Sequence, residues 1–190
     1  MKTSRAFSLV ELLVVIVIIA ILAIVSLPAL AGIGASTKLN SGGQVIGDLV
    51  VLARQEASAK NRDVEVRFVR IDNSGSPRAV QLWIANDSGT VLSPLSRLQV
   101  LPDAVILSTN GVLSPLIAGP LAIKGTANFG SYGSCAYSAF RLRAGGKLET
   151  SVGTNNFLTL HMEYDREVPP QNFHTIRVNP VTGRVTTHRR

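Results

Sequence analysis

Residues 1–28 read MKTSRAFSLVELLVVIVIIAILAIVSLP. Lys2 and Arg5 precede an apolar run, and between Glu11 and Lys38 the chain carries no charge. From Leu12 to Leu27 nearly every residue is Leu, Ile, Val or Ala. The run over residues 7–32 exceeds the about 20 residues that cross a bilayer, so the sequence predicts a membrane-spanning helix. The two basic residues ahead of it predict a single pass in the cytoplasmic (inner) membrane, with the N-terminus in the cytoplasm and the rest of the chain exported. Glu11 does not fit a plain span. An acidic residue at the centre of a spanning helix costs roughly 2.5–3.5 kcal/mol, less near an interface. Either Glu11 sits solvated at headgroup depth, or it pairs with a positive charge supplied by another chain. Two other segment types share this hydropathy. Ala29-Leu30-Ala31 is an A-x-A pattern, as in a secretory signal peptide cut before Gly32, although the run is long for one and Glu11 inside it is unfavourable. A simple membrane anchor is the other.

The stretch Ala6-Phe7-Ser8-Leu9-Val10-Glu11-Leu12 resembles the processing site of type IV pilins and pseudopilins. That family has a short basic leader, a small residue (usually Gly, here Ala6), then Phe, and a Glu five positions into the mature chain. The resemblance implies cleavage by prepilin peptidase between Ala6 and Phe7 and methylation of the Phe7 amine. It also implies a helix kink at Pro28, and Glu11 as the charge that sets register in a filament. The implied partners are sister pilins, prepilin peptidase, an inner-membrane assembly platform and the membrane itself.

The whole chain has 190 residues, which suits one globular domain with an appendage and is too short for an enzyme with a separate cofactor domain. Charged residues make up only 16%, which excludes a disordered polyelectrolyte. Mean hydropathy is +0.27, high for a soluble domain, and the excess lies in residues 1–35. One cysteine, Cys135 in a glycine-serine loop, excludes an intramolecular disulfide framework and an all-cysteine metal site.

Beyond the apolar run, Ala31-Gly32-Ile33-Gly34-Ala35-Ser36 and Ser41-Gly42-Gly43 predict loosening of a helix. Ile46, Leu49, Val50, Ala53 and Ala57 recur at three- and four-residue steps and make one apolar face. Glu56 and Lys60 form a favourable i,i+4 pair, and Asn61 suits a C-terminal cap. A long helix over residues 7–60 is expected. After Asn61 the period becomes two. Strands are expected at 64–71, 80–84, 98–101, 105–107, 121–123, 137–143, 157–162, 173–178 and 184–187, with a final turn at Asn179-Pro180-Val181-Thr182-Gly183. The fold class is therefore α+β: a long N-terminal helix, first half transmembrane and second half amphipathic, packed on an antiparallel β-sheet domain. The organisation is a leader at 1–6, a transmembrane and filament-core helix at 7–31, its amphipathic continuation at 32–62, and a β-rich globular domain at 63–190.

Two further stretches carry a finer resemblance. Asp48 to Ala57 followed by Asn61-Arg62-Asp63-Val64-Glu65-Val66 is similar to the A-R-x-x-A helix end and first strand of GspH/FimT-type minor pseudopilins. Together with Phe140-Arg141-Leu142-Arg143 and the segment from Asn179 to Thr187, it is similar to the Verru_Chthon cassette protein D family. These resemblances imply a structural, non-enzymatic subunit of a type II secretion or type IV pilus-like filament.

Residue chemistry points the same way. There is no H-E-x-x-H, C-x-x-C or G-x-x-x-x-G-K-[ST], and Gly32-Ile33-Gly34 lacks both a third glycine and a preceding strand. No cofactor, catalytic residue, metal ligand or small-molecule substrate is expected. His161, His174 and His188 are far apart. Glu163, Asp165 and Glu167 offer carboxylates to calcium, but Arg166 and Pro169-Pro170 favour a solvated loop. After Glu167 there is no acid, while Arg177, Arg184, Arg189 and Arg190 follow. Arg184, Arg189 and Arg190 are candidate nucleic-acid contacts of a DNA-binding minor pilin. The alternative is a solvated edge strand whose charges oppose aggregation, and with only Tyr164 and Phe173 nearby there is no platform for stacking bases. A membrane-anchored or secreted β domain without a filament role is the remaining possibility.

Overall fold

The computed structural model describes residues 8–71, 75–89, 92–120, 122–149 and 155–189, the side chains of 25–33 excepted. The fold is α+β. The chain divides into two compact units, Met1–Thr37 and Lys38–Arg190. Helix α1, Leu9–Lys60, is unbroken at Pro28 and at Gly42-Gly43, so the glycine clusters do not interrupt it as the sequence led us to expect. Among the described residues no helix is long and apolar enough to cross a membrane. The described apolar side chains run only from Leu9 to Ile24, short of the about 20 residues a bilayer requires.

In the second unit, α1 buries Leu39, Gly42, Gly43, Ile46, Leu49, Val50, Ala53 and Ala57, a stripe at helical spacing that contains every predicted apolar position. Gly42 and Gly43 belong to this face, where the second sheet packs closely on the α1 backbone. A Cβ on Gly42 would lie 3.1 Å from Val105 Cγ1 and 3.3 Å from Leu160 Cδ2. The helix stops where the sequence says it should. Asn61 takes the left-handed conformation (φ 51°), and the Arg62 N–H donates to the Ala57 carbonyl at 3.2 Å, closing the last turn in a Schellman motif. The Lys60–Glu56 pair forms at 2.8 Å. Between buried Ala53 and Ala57, the aliphatic stem of Arg54 lies across Gly146 and Gly183, glycines of two separate turns.

The strands form two sheets rather than one. The first contains β1 (Val64–Val69), β2 (Ala79–Ala85), β3 (Leu92–Pro94), β4 (Gln99–Val100), β6 (Ile123–Asn128) and β7 (Ser134–Leu142), in the order β3-β2-β1-β7-β6 with β4 also on β2. The second contains β5 (Val105–Leu107), β8 (Phe157–Met162), β9 (Phe173–Val178) and β10 (Val185–Arg189), in the order β10-β9-β8-β5. All pairings are antiparallel. The expected strands at 105–107, 157–162 and 173–178 form with those bounds. Of that at 121–123 only Ile123 lies in a strand, as the first residue of β6; Ala122 precedes it and Leu121 lies outside the described residues. β3 has no counterpart in the sequence reading. Neither does the short helix α2, Pro115–Ala118, which touches β7 and β8. Ser114 just ahead of it is buried and accepts the Thr159 N–H of β8 at 3.0 Å. The final turn forms as expected, with Asn179 Oδ1 accepting the N–H groups of Val181 and Thr182 at 3.0 and 2.9 Å.

The glycines of α1 supply a paired test. Alanine in place of glycine inside a helix ordinarily stabilises by about 0.5–1 kcal/mol. Nothing lies within 4 Å of a Cβ on Gly47, whereas a Cβ on Gly43 would lie 2.5–2.7 Å from three atoms of the His174 ring. Gly47→Ala should therefore raise the urea midpoint. Gly43→Ala should lower it, by the about 1–3 kcal/mol of an overpacked core. Equal responses in the two variants would contradict the packing described.

Candidate functional site

Two regions hold the chemistry of this chain. The first is the start of α1. The Ser8 carbonyl accepts the N–H groups of Glu11 and Leu12 at 3.1 and 3.2 Å, opening the helix. Glu11 lies in the first turn and is exposed. A carboxylate there also faces the positive end of the helix dipole, worth about 0.3–1 kcal/mol. From Leu9 to Ile24 the segment has no polar face except Glu11, and its large apolar residues are exposed all round, from 42% at Val15 to 80% at Leu9. A helix hydrophobic on every side needs to be covered on every side. Of the predicted processing residues, Ala6 and Phe7 lie outside the described residues, and Pro28 lies within α1.

The second region is the outer face of the first sheet. Alternation along β1 points Val64, Val66 and Phe68 inward, and it places Glu65 and Arg67 on the other face. That face is covered rather than solvated. Glu65 is 1% exposed and Arg67 5%. Glu65 Oε2 accepts Arg67 Nε at 2.9 Å, and Glu65 Oε1 accepts Arg141 Nη2 at 2.7 Å from β7. The Arg67 guanidinium lies between two rings, 4.1 Å from the Trp83 centroid and 4.3 Å from that of Tyr137. Such contacts strengthen when desolvated. The chain of charges continues outward: Arg141 meets Glu149 at 3.6 Å, Glu149 pairs with Arg143, and Arg143 meets Asp63 at 2.8 Å. Burial works against the charge on Arg141. Its hydrogen bond to Glu65 and the fields of Glu65, Glu149 and Asp63 outweigh that, raising its pKa above the ordinary value. Every charge in this ladder has a partner, which is the pattern of a structural network. Sequence reading missed it. The available signal was opposite charge at alternate positions of two strands, Glu65 and Arg67 against Arg141 and Arg143.

The acids at 163, 165 and 167 are each engaged, two of them within their own loop. Glu163 pairs with Arg78, Asp165 accepts the Gln171 N–H at 2.8 Å, and Glu167 accepts Gln171 Nε2 at 3.3 Å. No group of metal-ligating side chains occurs among the described residues. His161 donates from Nδ1 to the Met162 carbonyl at 3.0 Å. It borders a cleft of about 310 Å³ with Glu163 and Arg166. Cys135 begins the buried part of β7, its thiol donating to the Tyr132 carbonyl at 3.3 Å.

The basic residues of the tail are divided between the two faces of the second sheet. Arg177 and His188 border a hollow of about 300 Å³ with Phe157 and Thr175. Arg189 stands opposite His174, whose ring meets α1. Arg184 is exposed in the turn before β10, and Arg190 lies outside the described residues.

Residues 1–27 match the family described as the prokaryotic N-terminal methylation motif. No curated protein and no solved structure matches the chain. The match supports a type IV pilin-like protein processed by prepilin peptidase.

Proposed function

We propose that this pilin-like chain is a structural, non-enzymatic subunit of a type II secretion or type IV pilus-like filament, a minor pseudopilin of the GspH/FimT kind. Prepilin peptidase cuts between Ala6 and Phe7, and the new Phe7 amine is methylated. Before assembly the apolar run over residues 7–32 holds the subunit in the cytoplasmic membrane. On assembly it moves into a core of sister helices, bent at Pro28. The observation that carries this reading is the all-round exposure of large apolar side chains from Leu9 to Ile24. Lipid tails and neighbouring apolar helices are both covers that such a surface accepts, and moving between them keeps it dry throughout. The methylation motif over residues 1–27 supports the processing step.

The decisive measurement is the mature N-terminus. Intact mass and N-terminal sequencing of the chain expressed beside a prepilin peptidase should give a start at methylated Phe7, with the apolar helix retained. A mature chain starting at Gly32 would make the segment a secretory signal peptide and remove the filament role. An uncut chain would leave a simple anchor.

A further inference from the structure

His174 is a buried titratable group with no hydrogen-bonding role. It sits on β9, in register with Leu160 of β8 and Arg189 of β10. The residue is 8% exposed, and among the described residues neither Nδ1 nor Nε2 has a hydrogen-bond partner. The enclosure comes from Gly43. A Cβ there would lie 2.5 Å from Nε2, 2.6 Å from Cδ2 and 2.7 Å from Cε1, so the α1 backbone is pressed against the ring. The ring thus acts as a filler between helix and sheet.

A neutral imidazole tolerates that place, at the cost of two unmade hydrogen bonds. A protonated one does not, because a buried charge needs a counter-charge. Among the described residues the charged groups around it are few. β10 presents Arg189, which repels a second cation. β8 presents the apolar Leu160 at the paired position. α1 presents Asp48, which borders the same groove of about 400 Å³ but makes no hydrogen bond to the ring. Burial, and then Arg189, push the His174 pKa below the ordinary histidine value.

We propose that His174 is an acid-sensitive latch: protonation of its ring frees the second half of α1, residues 38–60, from the second sheet. The direction follows from linkage. The native state holds His174 neutral, while a released or unfolded chain protonates it near its usual value of about 6.5. The latch is therefore fully closed above about pH 6.5 and weakens as pH falls toward the depressed native value. Across that window the opening constant rises by up to about tenfold per pH unit, the limit for one proton.

The test uses the full chain in an uncharged detergent. Amide hydrogen exchange of residues 38–60 and 173–189, corrected for the intrinsic pH dependence of exchange, should show protection lost between pH 7.5 and 5. His174→Phe keeps a flat ring without the titration and should hold its protection over the same range. His188→Phe, at an exposed position of β10, should behave like the parent. Unchanged protection in the parent at pH 5, or the same acid loss in His174→Phe, overturns the proposal. A second readout does not depend on the variant folding. The His174 ring, followed by NMR in the unsubstituted chain, should titrate below the usual histidine value of about 6.5, and titration at or above that value overturns it equally.

Discussion

Replacing Glu65 by alanine is expected to destabilise the β domain by about 3–5 kcal/mol, the cost of stranding one side of a buried ion pair. Both carboxylate oxygens of Glu65 are used, one by Arg67 and one by Arg141. Arg141 keeps Glu149, at 3.6 Å, when Glu65 is removed. Among the described residues Arg67 keeps only the faces of Trp83 and Tyr137, which are worth less than a carboxylate in the same buried position. An arginine does not escape by losing its proton. The consequence is a cationic side chain held in an apolar layer, so that layer should open. Trp83 is the chain's one tryptophan and touches Arg67, so its fluorescence in a urea titration reports the loss where it happens. Asp63→Ala, at the outer end of the same ladder, should cost about 1 kcal/mol, because Arg143 is half exposed and the Ala144 N–H that Asp63 also accepts is at an exposed turn. Replacing the buried group as a whole, by Glu65→Leu, Arg67→Met and Arg141→Leu together, should be near neutral or stabilising. If Glu65→Ala costs no more than Asp63→Ala, the network does not hold the sheet face as described.

Glu11→Val should leave membrane insertion and cleavage after Ala6 intact while recovery in filaments falls about tenfold or more. This prediction rests on the proposed filament role. Cleavage creates a positive charge at the Phe7 amine, four residues from Glu11 and at the same depth. A neighbouring subunit shifted along the filament axis brings its own amine to Glu11. In a core of apolar helices each charge is then compensated by the other, and an unpaired one is left in hydrocarbon. Breaking a buried pair costs about 3–5 kcal/mol, and each 1.4 kcal/mol is a factor of ten in a binding constant. The valine variant removes only one partner, so the amine of each neighbour is stranded. Expression beside sister pilins, followed by immunoblots of membrane and sheared-filament fractions, reads the outcome. Normal recovery of the variant in filaments would show that Glu11 does not set register. Loss of the variant from the membrane fraction would show that it acts earlier, in insertion.

What the sequence determined by itself is what depends on neighbours along the chain. The processing motif is a local pattern, and the apolar run from Leu12 onward is legible as composition. The stripe from Ile46 to Ala57, the Glu56–Lys60 pair, the Asn61 cap and the Asn179 turn are all set by residues within a few positions of one another. The same holds for strands such as 157–162 and 173–178, where the two-residue period is strong. The tertiary structure decided whatever depends on residues distant in sequence. Gly42 and Gly43 are weak helix residues in isolation, but Val105 and Leu160 pack tightly on Gly42, and the His174 ring leaves Gly43 no room for a side chain. Glu65 and Arg67 follow a solvent-facing alternation, yet they are buried, because the charge of Arg141 arrives from 76 residues away. The division into two sheets, and the place of α2 against β7 and β8, likewise come from packing between segments. His174 looks like any strand residue until the helix backbone closes over it. Local pattern chooses which face of an element is apolar; only the packed chain settles which polar groups on the other face lose their water, and what they must then find in its place.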